Sequence, residues 1–191
     1  MTKAPHRDLS ETRIDGEVVF DGRLLHVRRD RVHLPSGGEG LREYVVHPGA
    51  AAIVALGEDG RVVLEHQYRF AAGNHFYELP AGKLDRDEAP LAAARRELLE
   101  ETGYRAERWD HLGRLHPCHA YSSEVIDVYL ARELRRGRAR LDADEFLDVL
   151  HLPAAEALAW ARDGRITDAK TIAGLFWLDD FLRRESHGPC S

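Results

Sequence analysis

With 191 residues, 43% of them apolar and 31% charged, the chain is the size of one ordinary globular domain with a small appendage, and it can bury a core without disulfide staples. Its formal charge of -6, from 27 Lys and Arg against 33 Asp and Glu, argues against nucleic acid as a partner and leaves room for a small anionic substrate held by local arginines. Cys118 and Cys190 offer no disulfide framework, the N-terminus lacks an apolar signal segment, and the longest apolar stretch, Pro48 to Gly57, is too short to cross a bilayer, so a soluble, cytoplasmic protein with no membrane partner is expected.

Residues 1–16 are polar and read as loose at the start. GEVVFDGRLLHVRRDRVHLPSGG then reads as short strands broken at Asp21-Gly22 and turned at Ser36-Gly37-Gly38, and REYVVHPG adds a strand ending before Pro48. Such a small antiparallel sheet, residues 1–48 with its approach, cannot bury both faces alone, so it should pack on the rest of the chain or on a second subunit. AAAIVALGEDGRVVLEHQYR reads as a hairpin with an apolar strand through Leu56, a turn at Gly57 to Gly60 and a return from Arg61 to Arg69. YELPAGKLDRDE supplies a short strand that stops at Pro80. A helix is predicted to start near Asp87 as its cap, with Pro90 in the first turn, and to stop at Gly103.

RAERWDHLGRLHP and EVIDVYLARELR read as two further strands, dense in apolar and β-branched residues. The charged run from Arg132 to Glu145 reads as a surface loop, and Glu145 to Leu152 as a returning strand. Two helices follow, one from Ala154 to Arg162 stopped by Gly164, the other capped by Thr167 or Asp168. The order of strands, helix, strands and helices gives an α+β fold, or a layered α/β/α domain.

The chemistry concentrates on the middle helix. Glu97 and Glu101 are i and i+4 and share a face, with Glu100 about 60° round from Glu97. Leu91, Ala94 and Leu98 form the neighbouring apolar stripe that would hold the helix on a sheet. Three like charges this close destabilise an isolated helix, and a hard divalent cation removes that cost because it takes oxygen ligands. The other reading of a bare E-x-x-E-E is a solvated acidic face.

The surrounding residues decide between them. Gly82, five residues, Glu88, seven residues, Arg96-Glu97-Leu98, one residue, Glu100-Glu101, one residue, Gly103 and apolar Tyr104 would coincide by chance on the order of 10⁻⁹ per start. This segment resembles the box of the Nudix hydrolases. The resemblance implies a Nudix-type α/β/α sandwich over residues 49–191, preceded by the small N-terminal antiparallel sheet. It implies metal ligation by Glu97, Glu100, Glu101 and the backbone carbonyl of Ala81, with Mg²⁺ as cofactor and Mn²⁺ as the alternative. Gly82, Glu88, Arg96 and Gly103 would be structural, Glu88 tying the loop to Arg96. The implied reaction is hydrolysis of a nucleoside diphosphate linked to another group.

Flanking segments are similar to the ADP-ribose pyrophosphatase branch: REYVVHPGAAAIVAL, EHQYR, ELPAGK and HPCHAYSSEVIDVYLA. The resemblance thus implies cleavage of ADP-ribose to AMP and ribose 5-phosphate. Another nucleoside diphosphate sugar such as GDP-mannose is the alternative, because Cys118-His119-Ala120-Tyr121 stands where the branch usually has Ser-Pro-Gly-Phe. A binding module that keeps the fold without turnover is the reading from a different class. The general base of the branch lies in an acidic loop matching Leu141 to Phe146, which points to Glu145, with Glu124 second. Arg69 is the candidate phosphate clamp, since guanidinium offers a planar fork to two oxygens. Arg42, Arg28, Phe20 and Tyr121 are the other candidate substrate contacts, and a homodimer through the N-terminal sheet is expected. His116, Cys118 and His119 lack further ligands at zinc spacing and are set aside.

Overall fold

The computed structural model describes residues 7–139 and 146–187, and Glu145 lies outside them. The chain divides into two compact units, one holding the chain through His47 together with Cys118–Glu124, the other holding Pro48–Pro117 and Val125 onward.

The first unit is an antiparallel sheet in the order β1 (Thr12–Asp21), β2 (His26–His33), β3 (Glu39–Val46). β1 starts at Thr12, earlier than the polar N-terminal composition suggested. Cross-strand ion pairs hold this polar strand in place of apolar contacts: Arg31 Nε bonds Asp15 at 2.9 Å, and Arg13 Nε bonds the buried Asp30 at 2.9 Å. Among the described residues of this unit, Val32 is the sole buried apolar side chain. The segment Cys118–Glu124 is stitched to β3 by Val45 N–H donating to Tyr121 O at 2.9 Å and Ser123 N–H donating to Val45 O at 3.0 Å.

The second unit stacks two sheets and three helices. A mixed sheet in the order β7 (Ala81–Lys83), β4 (Ala50–Ala55), β9 (Ile126–Arg136), β8 (Tyr104–Leu115) has β4 and β9 parallel, Ala50 opposite Ile126. An antiparallel sheet runs β10 (Leu147–Pro153), β5 (Arg61–Arg69), β6 (Asn74–Glu78). Every residue of β4 is buried, which requires cover on both faces. Ala51, Ile53 and Ala55 pack with Ala93, Ala94 and Leu98 of α1 (Pro90–Thr102). Ala52 and Val54 pack with Leu64, Leu79, α2 (Ala154–Asp163) and α3 (Ala169–His187). The result is helix, sheet and helix layers around β4.

Four local expectations change. The strands on either side of the Gly57–Gly60 turn are not partners in one hairpin: they share the bridge Leu56–Val62 and then part into different sheets. A continuous apolar run cannot say which strand lies beside it, because both of its faces are buried. Pro80, which lacks an N–H, marks a second crossing of the same kind, from β6 to β7. Helix α1 starts at Pro90 with Ala89 as cap and no side-chain capping bond, because Asp87 sits in the loop at φ 62°, a conformation that Asp tolerates. Ala93 takes the buried place expected for Leu91. The charged run after Arg132 continues β9 to Arg136: Arg132 donates to Asp110 of β8 at 2.7 Å and to Glu185 of α3 at 2.8 Å, so its charge is paired by neighbouring elements.

Candidate active site

β7 forms one edge of the mixed sheet, with Gly82 opposite Ala51 and Ala81 opposite Ala52. Alongside it lies the acidic face of α1. A Cβ on Gly82 would fall 1.8 Å from Oε1 of Glu97, so the Glu97 carboxylate rests against bare backbone. Ala81 N–H donates to Oε2 of the buried Glu101 at 3.0 Å. Glu97 is largely buried, whereas Glu100 keeps 42% of its side chain exposed. The helix ends where its glycine demands: Gly103 has φ 73° and its N–H caps Leu99 O at 3.0 Å.

Arg96 is the hub of this face. Its Nε and Nη2 grip Glu88 at 3.0 and 2.8 Å, while Nη1 reaches Glu97 at 2.7 Å and Glu100 at 3.1 Å. Nη2 also donates to Lys83 O at 3.1 Å, and Glu88 accepts from Asp85 N–H at 3.0 Å. One guanidinium therefore ties the loop between β7 and α1 to the helix and offsets the repulsion among its glutamates. The Arg96 fork holds the Glu88 carboxyl below the usual range, and Glu88 in turn raises the arginine.

A second cluster sits at the end of β6. Arg69 places Nε and Nη2 on the two oxygens of buried Glu78, at 2.8 and 2.9 Å. Lys170, from the first turn of α3, also bonds Glu78 and reaches Asp168 at 3.1 Å. Burial pushes the Glu78 carboxyl up, but Arg69 and Lys170 outweigh it and hold it at about 2. Asp168 caps α3 by accepting from Thr171 N–H at 2.9 Å, and Leu79 N–H donates to Thr171 Oγ1 at 2.8 Å. Sequence reasoning named Arg69 and offered Thr167 or Asp168 as the cap, of which Asp168 is the one observed, but missed Glu78 and Lys170. The available signal was a glutamate inside the apolar run Tyr77-Glu78-Leu79, which a strand buries only with a partner.

Comparison with known proteins matches residues 46–175 to the NUDIX domain and residues 11–45 to the nucleoside diphosphate sugar hydrolase N-terminal domain. The chain belongs to the Nudix family. It is 38% identical over 170 residues to the methanol dehydrogenase activator of Bacillus methanolicus, covering 88% of this chain and 92% of that one. It is 34% identical over 174 residues to the ADP-ribose pyrophosphatase of Bacillus subtilis (strain 168), covering 90% and 94%. The crystal structure of an ADP compounds hydrolase shares the fold, with a TM-score of 0.80 at 22% identity over 98% of this chain and 99% of that one. This Nudix chain is therefore related to the ADP-ribose and nucleoside diphosphate sugar pyrophosphatases.

The Nudix box carries the donor set that a hard divalent cation takes: carboxylates of Glu97, Glu100 and Glu101 and the carbonyl of Ala81. The bare backbone at Gly82 is the close approach that such a set needs. Among the described residues, no three acidic, histidine or cysteine side chains are drawn into one closed ligand group; Arg96 spans Glu97 and Glu100 instead. The residues fit the cation by the chemistry of their donors. No described helix is long and apolar enough to cross a membrane.

The remaining candidate residues lie in the first unit. Arg28 bonds Asp30 at 3.1 Å, and Arg42 is paired with Glu11 through both Nε and Nη2. Phe20 and Tyr121 are exposed, the Tyr121 hydroxyl 3.4 Å from Cys118 Sγ. Glu124 N–H donates to Ser122 Oγ at 3.1 Å, and its carboxylate lies 3.8 Å from His47 Nε2.

Proposed function

We propose that this chain hydrolyses the pyrophosphate of ADP-ribose, adding water to give AMP and ribose 5-phosphate, with Mg²⁺ or Mn²⁺ bound at the Nudix box. The observation that carries this reading is the Glu97 carboxylate laid against Gly82, with Glu100 and Glu101 on the same helix and Ala81 beside them. The kinship with the ADP-ribose pyrophosphatase of Bacillus subtilis over nearly the whole chain supports the substrate. A cation held there would polarise phosphorus, lower the pKa of a bound water and neutralise the departing phosphate.

The chain's own residues do the rest. Glu97, Glu100, Glu101 and the Ala81 carbonyl hold the cation, and Arg96 with Glu88 keeps the loop on the helix. Arg69 clamps phosphate while Glu78 orients it. Glu145 takes the proton from the attacking water, with Glu124 as the alternative base. Arg28 and Arg42 would reach substrate only by leaving Asp30 and Glu11, and Phe20 or Tyr121 offers a face to the base. The N-terminal sheet pairs with a second copy across a two-fold axis.

A second reading, a different nucleoside diphosphate sugar such as GDP-mannose, draws on Cys118-His119-Ala120-Tyr121, which differs from the stretch usual in the ADP-ribose branch. One panel tests both: ADP-ribose, GDP-mannose, NADH and diadenosine polyphosphates, each with Mg²⁺ or Mn²⁺, products separated by chromatography. AMP from ADP-ribose in excess over every other product is expected. Preferential cleavage of GDP-mannose would move the assignment to the second reading, and binding without any product would make the chain a nucleotide-binding module. In the same assay Glu145→Gln should keep under a tenth of the wild-type rate; a higher rate passes the base to Glu124.

A further inference from the structure

Lys170 has no place in the chemistry above, yet it is largely buried and its ammonium bonds the carboxylate that grips Arg69. We propose that Lys170 is a positioning residue for Arg69, acting through Glu78; this rests on the assignment of Arg69 as phosphate clamp.

The geometry is a relay of fixed groups. Glu78 offers two oxygens, and Arg69 takes both, Nε on one and Nη2 on the other. Such a two-point contact fixes the plane of the guanidinium, whereas a single bond would leave it to rotate. The carboxylate must therefore itself be fixed. Lys170 does this by bonding Oε2, the oxygen that Nη2 also uses. Lys170 is held in turn by Asp168, whose Oδ2 also accepts from the N–H and hydroxyl of Thr171, at 2.9 and 2.6 Å. Thr171 is fully buried and receives the Leu79 N–H, one residue beyond Glu78. Both the side chain of Glu78 and the backbone beside it are thus set by the first turn of α3.

Charge explains why a cation stands at this position. Glu65 stands directly across from Glu78 on β5, and both are buried. Burial itself disfavours the ionised form of Glu78, and an acidic neighbour would add to that cost. Arg69 alone, with half of its side chain exposed, faces this site from its rim. Lys170 adds a second cation from the buried side and keeps Glu78 an acceptor for both donors of the arginine fork.

Lys170→Met removes the ammonium and keeps much of the stem. Its effect is read first without substrate, by NMR of the Arg69 Nε–H, assigned through its absence in Arg69→Lys. Exchange of that proton with water should speed up at least tenfold in Lys170→Met, with Lys170→Arg closer to wild type. On whichever substrate the wild type cleaves, kcat/KM should fall about tenfold or more in Lys170→Met. The double variant Arg69→Ala/Lys170→Met should be no worse than Arg69→Ala alone, because the lysine works only through the arginine. Additive losses in the double variant, or an unchanged exchange rate in folded Lys170→Met, overturn the proposal. If Lys170→Met does not fold, Lys170→Gln and Lys170→Arg take its place in the same cycle, and additivity there has the same meaning. Absence of any turnover by wild type defeats the ADP-ribose reading instead, while the exchange measurement still decides the role of Lys170.

Discussion

At Gly82 the backbone lies outside the left-handed region, so the residue's conformational freedom does not account for its identity. What excludes a side chain is Glu97, whose carboxylate occupies the place a methyl group would take, 1.8 Å from Oε1 and 2.0 Å from Cδ. The obstructing atoms are the end of a flexible side chain, which can swing aside. Gly82→Ala should therefore fold with little loss of stability yet lose activity by about ten- to a hundredfold, as displaced metal-site supports commonly do. Thermal unfolding paired with a turnover assay checks this; equal losses in both would assign the glycine to folding alone. The glutamates of α1 were legible because helical spacing brings residues 97, 100 and 101 together within one turn or so. Glu78 and Lys170 were not, because their partnership spans a sequence separation of 92 and only the fold brings the two together.

Between elements, the junction of β6 with α3 is an ionic one, and its pH dependence has a definite sign. The Glu78 carboxyl is lowered from 4.5 to about 2 in the folded chain. A depressed carboxyl contributes stability above its unfolded value and loses it as pH falls through its folded value. Urea unfolding between pH 4.5 and about 2 should thus show stability falling with acid, and Glu78→Gln should flatten that slope. A variant as steep as wild type would show that other carboxylates carry the dependence. The same scale shows where sequence patterns mislead. Alternation identifies a strand with one wet face, but β4 is buried throughout and sits between α1 on one side and α3 on the other. Its sheet partners, β7 and β9, come from distant segments that no local rule could supply. The Gly57–Gly60 turn was legible as a turn and silent on whether its strands stay together.

For the whole molecule, the two units differ in how much they bury. The second has a continuous apolar interior on both faces of β4, whereas Val32 alone is the buried apolar side chain described in the first. In that first unit Val18, Val19 and Phe20 of β1, Leu24 and Leu25 of the turn after it and Leu41 of β3 stand between 46% and 64% exposed. This many exposed large apolar side chains on so small a unit would be explained by an association surface. Sedimentation at micromolar concentration should give about twice the chain mass of 21.6 kDa, and Val18→Asp should weaken association by more than about tenfold. A wild-type monomer at that concentration removes the dimer and weakens the substrate roles proposed for Arg28 and Phe20.

The parallel pairing of β4 with β9, Ala50 beside Ile126, also orders events during folding. The box is local: its loop and helix lie within a single short stretch of chain. The strand that seats that loop, however, acquires its second neighbour only after a long intervening segment has been synthesised and has crossed over. Closing so large a loop is entropically slow, so the cation site proposed for the box should be completed late, after the helix itself has formed. A nascent chain released before β9 would carry all the box glutamates and still lack the platform that aims them.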